Sequence, residues 1–194
     1  MLPDDPLTLF VRWLETAREA GNLEPTAMNI ATVGTGGNPS SRMVLLKKIE
    51  EGRLLFFTSL RSRKAQEIKE NANVALHFYW PEVERQVRIE GSSQILAEVE
   101  ADRYYQSRPL ESKLSAWISP QSEVIPHRQV LEEAFEKKRK EYGDGVQLPR
   151  PAHWGGYAVS PRLWEFWQGG EHRLHDRMLY TLKEDVWTFV RLAP

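Results

Sequence analysis

Between residues 26 and 96 the chain breaks into short apolar-rich runs separated by links too brief to hold a crossover helix, and this spacing constrains the fold more than any other feature. The first three runs cover residues 27–33, 42–49 and 54–58. Gly34-Thr35-Gly36-Gly37-Asn38-Pro39 and Glu50-Glu51-Gly52 punctuate them as turns, so three antiparallel strands joined as hairpins follow. A short helix is expected over residues 63–71, then strands over residues 74–80 and 85–96, the second passing Gly91, where a bend or bulge fits. Five strands with so few helices between them argue against a parallel Rossmann sheet. The expectation is a mainly β, α+β fold: a small antiparallel barrel with peripheral helices.

Asp5-Pro6 reads as a helix cap followed by proline in the first turn, and Leu7, Phe10, Leu14 and Ala17 recur at helical spacing up to Gly21. Residues 98–107 and 126–142 carry helical spacing too, with the charge run over 132–141 as a solvated face. After a Gly/Pro-rich connector, residues 143–151, β character returns over residues 154–159, 163–167, 177–182 and 187–192. With no internal repeat, one domain is expected over residues 1–194: an N-terminal helix to residue 21, the first barrel strands over 26–96, a helical segment over 98–142 and C-terminal strands over 154–194.

Lys plus Arg number 26 against 27 Asp plus Glu, so the molecule as a whole attracts neither nucleic acid nor an anionic membrane. Any anion site must be local. The absence of cysteine excludes disulfides, thiolate metal sites and a cysteine nucleophile. No stretch approaches the roughly 18 apolar residues of a membrane span, and Met1 to Pro6 carry no leader pattern, so a cytoplasmic protein is expected.

Three segments carry candidate chemistry. In Ser59-Leu60-Arg61-Ser62-Arg63-Lys64-Ala65, Arg63 and Lys64 fall in the first turn of a helix, where the helix dipole disfavours cations unless an anion sits beside them. A phosphate site and two solvated side chains are the competing readings. In Arg42-Met43-Val44-Leu45-Leu46-Lys47, a spacing of five puts the two cations on opposite faces of a regular strand, where they would serve different anions or simply end the strand. After the double glycine of Trp167-Gln168-Gly169-Gly170-Glu171-His172-Arg173-Leu174-His175-Asp176-Arg177, an extended chain would set Arg173, His175 and Arg177 on one face, a row hard to explain as core. The neighbouring arginines weigh against a metal at His172, His175 and Asp176, and no Gly-x-Ser-x-Gly elbow supports a nucleophilic triad.

Taken together, these segments resemble the pyridoxine/pyridoxamine 5'-phosphate oxidases. The resemblance runs through Asp5-Pro6-Leu7-Thr8-Leu9-Phe10, Pro25-Thr26-Ala27-Met28, the Arg42 to Lys47 segment, Ser62-Arg63-Lys64-Ala65, Glu84-Arg85-Gln86-Val87 and Ser107-Arg108-Pro109. It continues through Trp154-Gly155-Gly156, Glu165-Phe166-Trp167-Gln168-Gly169, Arg173-Leu174-His175-Asp176-Arg177 and Arg191-Leu192-Ala193-Pro194, in the family's order. It implies a split β-barrel homodimer with FMN at the subunit interface. The implied FMN contacts are Arg42, Met43, Val44, Leu45, Leu46, Lys47, Phe57, Thr58, Arg63, Lys64, Gln86, Gln121, Ser122, Trp167 and Arg177. The implied substrate contacts are Lys47, Tyr104, Arg108, Ser112, Arg173 and His175, with Arg173 and His175 as the catalytic pair. Tyr104, Arg108 and Ser112 are four apart, so a helical face or a helix-to-loop turn would offer hydroxyl, guanidinium and hydroxyl to one phosphate, with Lys47 closing the cage.

The implied reaction is oxidation of pyridoxamine or pyridoxine 5'-phosphate to pyridoxal 5'-phosphate, with hydride passing from substrate C4' to the flavin and O2 reoxidising it to give hydrogen peroxide. Two departures stand out: Phe57-Thr58 where members often have Tyr-Thr, and only Met1 to Asp4 before the Asp-Pro-Leu-Thr-Leu-Phe stretch, where many members carry a further segment. Two other functions stay open, a nicotinamide-dependent flavin reductase of the same barrel class and a non-catalytic carrier of FMN or pyridoxal phosphate.

Overall fold

A computed structural model describes residues 5–142 and 147–194. Met1 to Asp4, and residues 143–146 of the expected connector, lie outside the described residues. Helix α1 (Pro6–Glu19) starts as its sequence implies: the Asp5 carboxylate accepts from the backbone N–H groups of Leu7 at 3.2 Å and Thr8 at 3.0 Å, and Pro6 occupies the first turn. Its apolar stripe, Leu9, Phe10, Trp13 and Ala17, is buried. Phe10 meets Phe78 edge-on at 5.0 Å and lies 5.2 Å from Trp164, so the helix closes one side of the core.

The strands are β1 (Ala27–Val33), β2 (Pro39–Leu45), β3 (Lys48–Glu50), β4 (Arg53–Ser59), β5 (Asn73–Trp80), β6 (Arg85–Ile95), β7 (Trp154–Gln168), β8 (Asp176–Lys183) and β9 (Val186–Leu192). They run antiparallel in the order β2-β1-β5-β6-β7-β4-β3, with β8 on β7 and β9 on β8, and curl into the split barrel that the spacing and the resemblance suggested. Helices α2 (Arg63–Glu70), α3 (Glu98–Ser107), α4 (Leu110–Ile118) and α5 (Gln129–Tyr142) lie in the connections between strands. None of the helices described is long and apolar enough to cross a membrane.

The single strand expected over 42–49 is two. The Leu46 N–H still donates to the Thr26 carbonyl, one step further along the β1–β2 register, whereas the Lys47 N–H donates to the Leu55 carbonyl of β4, both at 2.9 Å, so the chain changes partner between β2 and β3. Conversely, the two strands expected over 154–159 and 163–167 are one, β7. A bulge between Glu90 and Gly91 absorbs the irregularity opposite Pro161. A Cβ at Gly91 would stand 2.3 Å from the Ser160 carbonyl oxygen, so only glycine fits there. Strand β7 changes partners along its length, pairing with β4 over its first residues and with β8 over its last, while β6 follows most of it. The two ends of this one strand carry the residues that matter below. Helix α4 stands where no element was expected, and the helix expected from Pro126 begins at Gln129.

Candidate functional site

Strand β4 delivers Phe57, Thr58 and Ser59 to the mouth of the sheet, and a tight turn then enters α2, where the Ser62 N–H donates to the Ser59 carbonyl at 3.1 Å. This turn drives Lys64 inward, to 6% exposure. Its ammonium donates to Thr58 Oγ1 at 3.0 Å, Gln121 Oε1 at 3.1 Å and Ser62 Oγ at 3.3 Å, all neutral oxygens. No carboxylate answers it among the described residues. Burial, and then the charge of Arg42, pull its pKa down to about 8.

Two other cations of the neighbourhood, Arg63 and Arg42, are answered internally. Glu67, buried under the N-terminal end of α2, accepts from Arg63 Nε at 2.8 Å through Oε1. Its Oε2 accepts from Thr32 at 2.5 Å and Ser40 at 2.6 Å, and lies 3.5 Å from Arg42 Nη2. Burial alone would raise the Glu67 pKa. The hydrogen bonds from Ser40, Thr32 and Arg63, and the Arg63 charge, outweigh it and hold the carboxyl at about 2. Of the pair read as a helix-start anion site, Arg63 is therefore neutralised four residues on by its own helix, and Lys64 alone keeps an unanswered charge.

A cavity of about 360 Å³ opens over this lysine. Its walls are Met43, Val44, Leu45 and Lys47 from the β2 end, Phe57, Thr58 and Ser59 from β4, Lys64, then Tyr104 and Arg108 from the end of α3, Ser115, Ala116, Ser119 and Gln121 from α4 and beyond, and Trp154. Among the described residues, three cations and no carboxylate line it. Arg42 and Lys47 do go to different places, as their spacing implied, although a strand break rather than an unbroken pleat separates them. Leu46 is buried in the core, and Ser122, at φ +74, follows Gln121 in an exposed turn.

Tyr104 stacks on Phe57 with ring centroids 3.9 Å apart, and Phe57 stacks on Trp154 at 5.4 Å. A Cβ at Gly156 would meet the Phe57 ring at 2.6 Å, so this glycine is what lets the ring lie flat. The Arg108 guanidinium lies 4.6 Å over the Trp154 ring, and its buried Nη1 makes no hydrogen bond among the described residues. Tyr104 and Arg108 reach the cavity from a helix-to-loop turn. Ser112 falls beyond Pro109, on α4, and is not among the wall residues. Ser59, Ser115, Ala116, Ser119 and Trp154 line the cavity without having been singled out from the sequence as site residues; only Trp154 carried a signal, in its Trp-Gly-Gly context.

The remaining candidates gather at the opposite end of β7. Gln86 faces Trp167 across β6 and β7, and Trp167 faces Arg177 across β7 and β8, so the three form a row over neighbouring strands. Glu165 holds Arg177 at 2.7 Å, and Arg88 at 2.6 Å. The expected extended row of Arg173, His175 and Arg177 does not form. Glu171–Arg173 wind into a 3-10 turn with His172 and Arg173 at φ +54 and +64, because the chain reverses at Gly169-Gly170 and the Leu174 N–H closes back on Glu171. His175 instead packs 4.6 Å from the Trp167 ring and accepts the Gly170 N–H through Nδ1 at 3.2 Å, so a neutral His175 carries its proton on Nε2. Trp154 and Trp167 are thirteen residues apart along β7, on the order of 40 Å for a fully extended strand and less for this curled one.

Comparisons with known proteins bear on this two-part arrangement. The model for pyridoxamine 5'-phosphate oxidase matches residues 14–140, and that for the pyridoxine 5'-phosphate oxidase C-terminal dimerisation region matches residues 154–194. A pyridoxine/pyridoxamine 5'-phosphate oxidase of Cytophaga hutchinsonii is 48% identical over 190 residues, covering 97% of this chain and 88% of that one. Another, from a Shewanella species, is 49% identical over 193 residues, covering 100% of this chain and 91% of its own. The crystal structure of PhzG from Burkholderia lata, in complex with tetrahydrophenazine-1-carboxylic acid, matches with a TM-score of 0.93 at 33% identity, covering 99% of this chain and 94% of PhzG. A pyridoxamine 5'-phosphate oxidase-related, FMN-binding protein of Nostoc punctiforme shares the fold, with a TM-score of 0.79 at 17% identity over 100% of this chain and 98% of that one. Two adjoining models of one family and relatives near half identity along almost the whole chain give one conclusion: the protein belongs to the pyridoxamine 5'-phosphate oxidase family.

Proposed function

We propose that this protein is an FMN-dependent oxidase that converts pyridoxamine 5'-phosphate and pyridoxine 5'-phosphate to pyridoxal 5'-phosphate, with O2 as acceptor and hydrogen peroxide as second product. The observation that carries the reading is the cavity wall, where Lys47, Lys64 and Arg108 converge and no carboxylate among the described residues neutralises them. Such a wall is costly unless anions fill it. A phosphorylated cofactor and a phosphorylated substrate supply two.

FMN fits the residues present: Lys64 is a buried cation without a counter-ion, and Thr58 and Gln121 fix it in place. When bound, FMN supplies a hydride acceptor that returns its electrons to O2. The chain's own groups bind and orient. Lys64 holds the cofactor phosphate, with Arg42, Arg63 and Ser122 beside it and the backbone from Met43 to Leu46 against the ring system. Lys47, Tyr104, Arg108 and Ser112 hold the substrate phosphate. Arg173 and His175 cover the substrate ring and keep its reacting carbon at attack distance, which accounts for the place of His175 beside Trp167.

Gln86, Trp167, Arg173, His175 and Arg177 are not among the wall residues of the cavity and gather about the opposite end of β7, so the working unit in this reading is a two-fold dimer in which each cavity is completed by the partner's distal cluster. The match to a dimerisation region over residues 154–194 supports this, since that segment carries the distal cluster. Within one chain, residues 154–168 pair with both β4 and β6, which supports a single domain over residues 1–194. A mixed dimer tests the shared site. Lys64→Met and Arg173→Ala chains are each inactive alone; co-expressed, half the dimers contain one intact cavity, and activity returns to about a quarter of wild type. Absence of recovery in purified mixed dimers contradicts a site shared between subunits.

The PhzG likeness favours a second reading, oxidation of a larger partly reduced aromatic acid. It requires no phosphate, so it predicts turnover of tetrahydrophenazine-1-carboxylic acid and indifference to Arg108→Ala.

A further inference from the structure

Arg108 differs from other arginines of the fold in how it is held. Arg42, Arg88, Arg150 and Arg177 each pair with a carboxylate, of Glu67, Glu165, Asp102 and Glu165 respectively. Arg108 forms no ion pair among the described residues, and its guanidinium rests on aromatic faces, 4.6 Å from the Trp154 ring and 5.9 Å from that of Tyr105. The distinction has a chemical consequence. A carboxylate takes up the N–H fork of an arginine and neutralises it, whereas an indole face attracts the cation through its ring electrons and leaves the N–H donors, which lie in the guanidinium plane, unspent. The unpaired buried Nη1 of Arg108 is such a donor.

Trp154 is itself rigidly mounted. Its backbone N–H donates to the Pro151 carbonyl at 2.9 Å, and its carbonyl accepts from Arg150 Nη1 at 2.5 Å. Its ring stacks within 9° of Phe57 and meets Tyr105 edge-on at 5.3 Å. We propose that Trp154 is a positioning residue for phosphate recognition: its indole face holds Arg108 in place while leaving the guanidinium donors free, and so sets the preference for phosphorylated over unphosphorylated ligands. The inference rests on the reading that Arg108 binds the substrate phosphate.

The test compares binding of pyridoxal 5'-phosphate and of pyridoxal to FMN-loaded protein by equilibrium dialysis, without turnover. Trp154→Leu is expected to lower the ratio of the two affinities about tenfold, the size of a lost cation–π contact in a desolvated site, and Trp154→Phe, which keeps a ring face, to recover most of it. Trp154→Met, an unbranched side chain that adapts to the space left, replaces the leucine variant if that chain fails to retain FMN. A purely structural role lowers both affinities together and leaves the ratio unchanged, and that result overturns the proposal. Arg108→Ala run in parallel separates the two levels. If it weakens pyridoxal 5'-phosphate binding while Trp154→Leu leaves the ratio intact, the positioning role is wrong. If Arg108→Ala has no effect, the phosphate assignment of Arg108 is wrong, and the inference falls with it.

Discussion

The Lys64→Met variant is expected to bind FMN about 100-fold more weakly than wild type while its apoprotein melts a few degrees higher. The two effects have one cause. Lys64 is buried against three neutral oxygens, and its pKa in the folded chain, about 8, lies below the ordinary 10.5. A lysine depressed in this way binds fewer protons folded than unfolded between those two values, so its unfavourable contribution is fully present below pH 8 and is relieved as pH rises through that window. Removing the ammonium removes that cost, less the hydrogen bonds lost to Thr58 and Gln121, for a net gain on the order of 1 kcal/mol. The cofactor phosphate loses its buried charge-assisted partner, worth about 2–3 kcal/mol. Wild-type FMN affinity should therefore be level between about pH 7, above the second ionisation of the phosphate, and pH 8, and weaken above that, as binding comes to require a proton for Lys64. Titration of apoprotein by flavin fluorescence checks both points. A methionine variant with wild-type affinity, or one with the same pH dependence, contradicts the assignment.

Arg173→Ala is expected to lower turnover by 100-fold or more while FMN occupancy stays at the wild-type level. Arg173 is exposed, at φ +64 in the turn after Gly170, and its side chain makes no ion pair or hydrogen bond among the described residues. Nothing in the fold depends on it, so truncation should change stability by no more than about 0.5 kcal/mol. A large loss of rate then reports on positioning of the substrate, for which a factor near 10² is the usual scale when a reacting group is left loosely held. Steady-state kinetics alongside flavin absorbance of the purified variant separate the outcomes. Loss of the flavin itself would mean that Arg173 serves the cofactor and not the substrate.

What was legible in the sequence follows from how local its cause was. The alternation of β1 and β5, buried on every second residue, is a two-residue pattern, and the cap at Asp5 is a four-residue one; both read directly. The break after Leu46 was hidden because neither glycine nor proline marks it; it lies where the chain passes from pairing with β1, through Thr26, to pairing with β4, through Leu55. The alternating cations at 173, 175 and 177 imitate a strand, and only the double glycine before them hinted that the chain would wind instead. The two helix-start cations part company in the structure. The Arg63 to Glu67 spacing, visible in the sequence, neutralises one of them, while the isolation of Lys64 needs the tertiary arrival of Gln121. The bed that Trp154 makes for Arg108 joins residues 46 apart, which no local pattern encodes. The distal cluster was identified residue by residue through the resemblance, but its distance from the cavity within one chain emerges only from the course of β7.

The most direct test of the proposed chemistry is to add pyridoxamine 5'-phosphate, without oxygen, to purified protein carrying FMN and to follow the visible flavin band. Bleaching with stoichiometric formation of pyridoxal 5'-phosphate, and return of the band on admission of air, is the expected result. A band that persists with both pyridoxamine and pyridoxine 5'-phosphates, or that bleaches only with a nicotinamide donor, contradicts it.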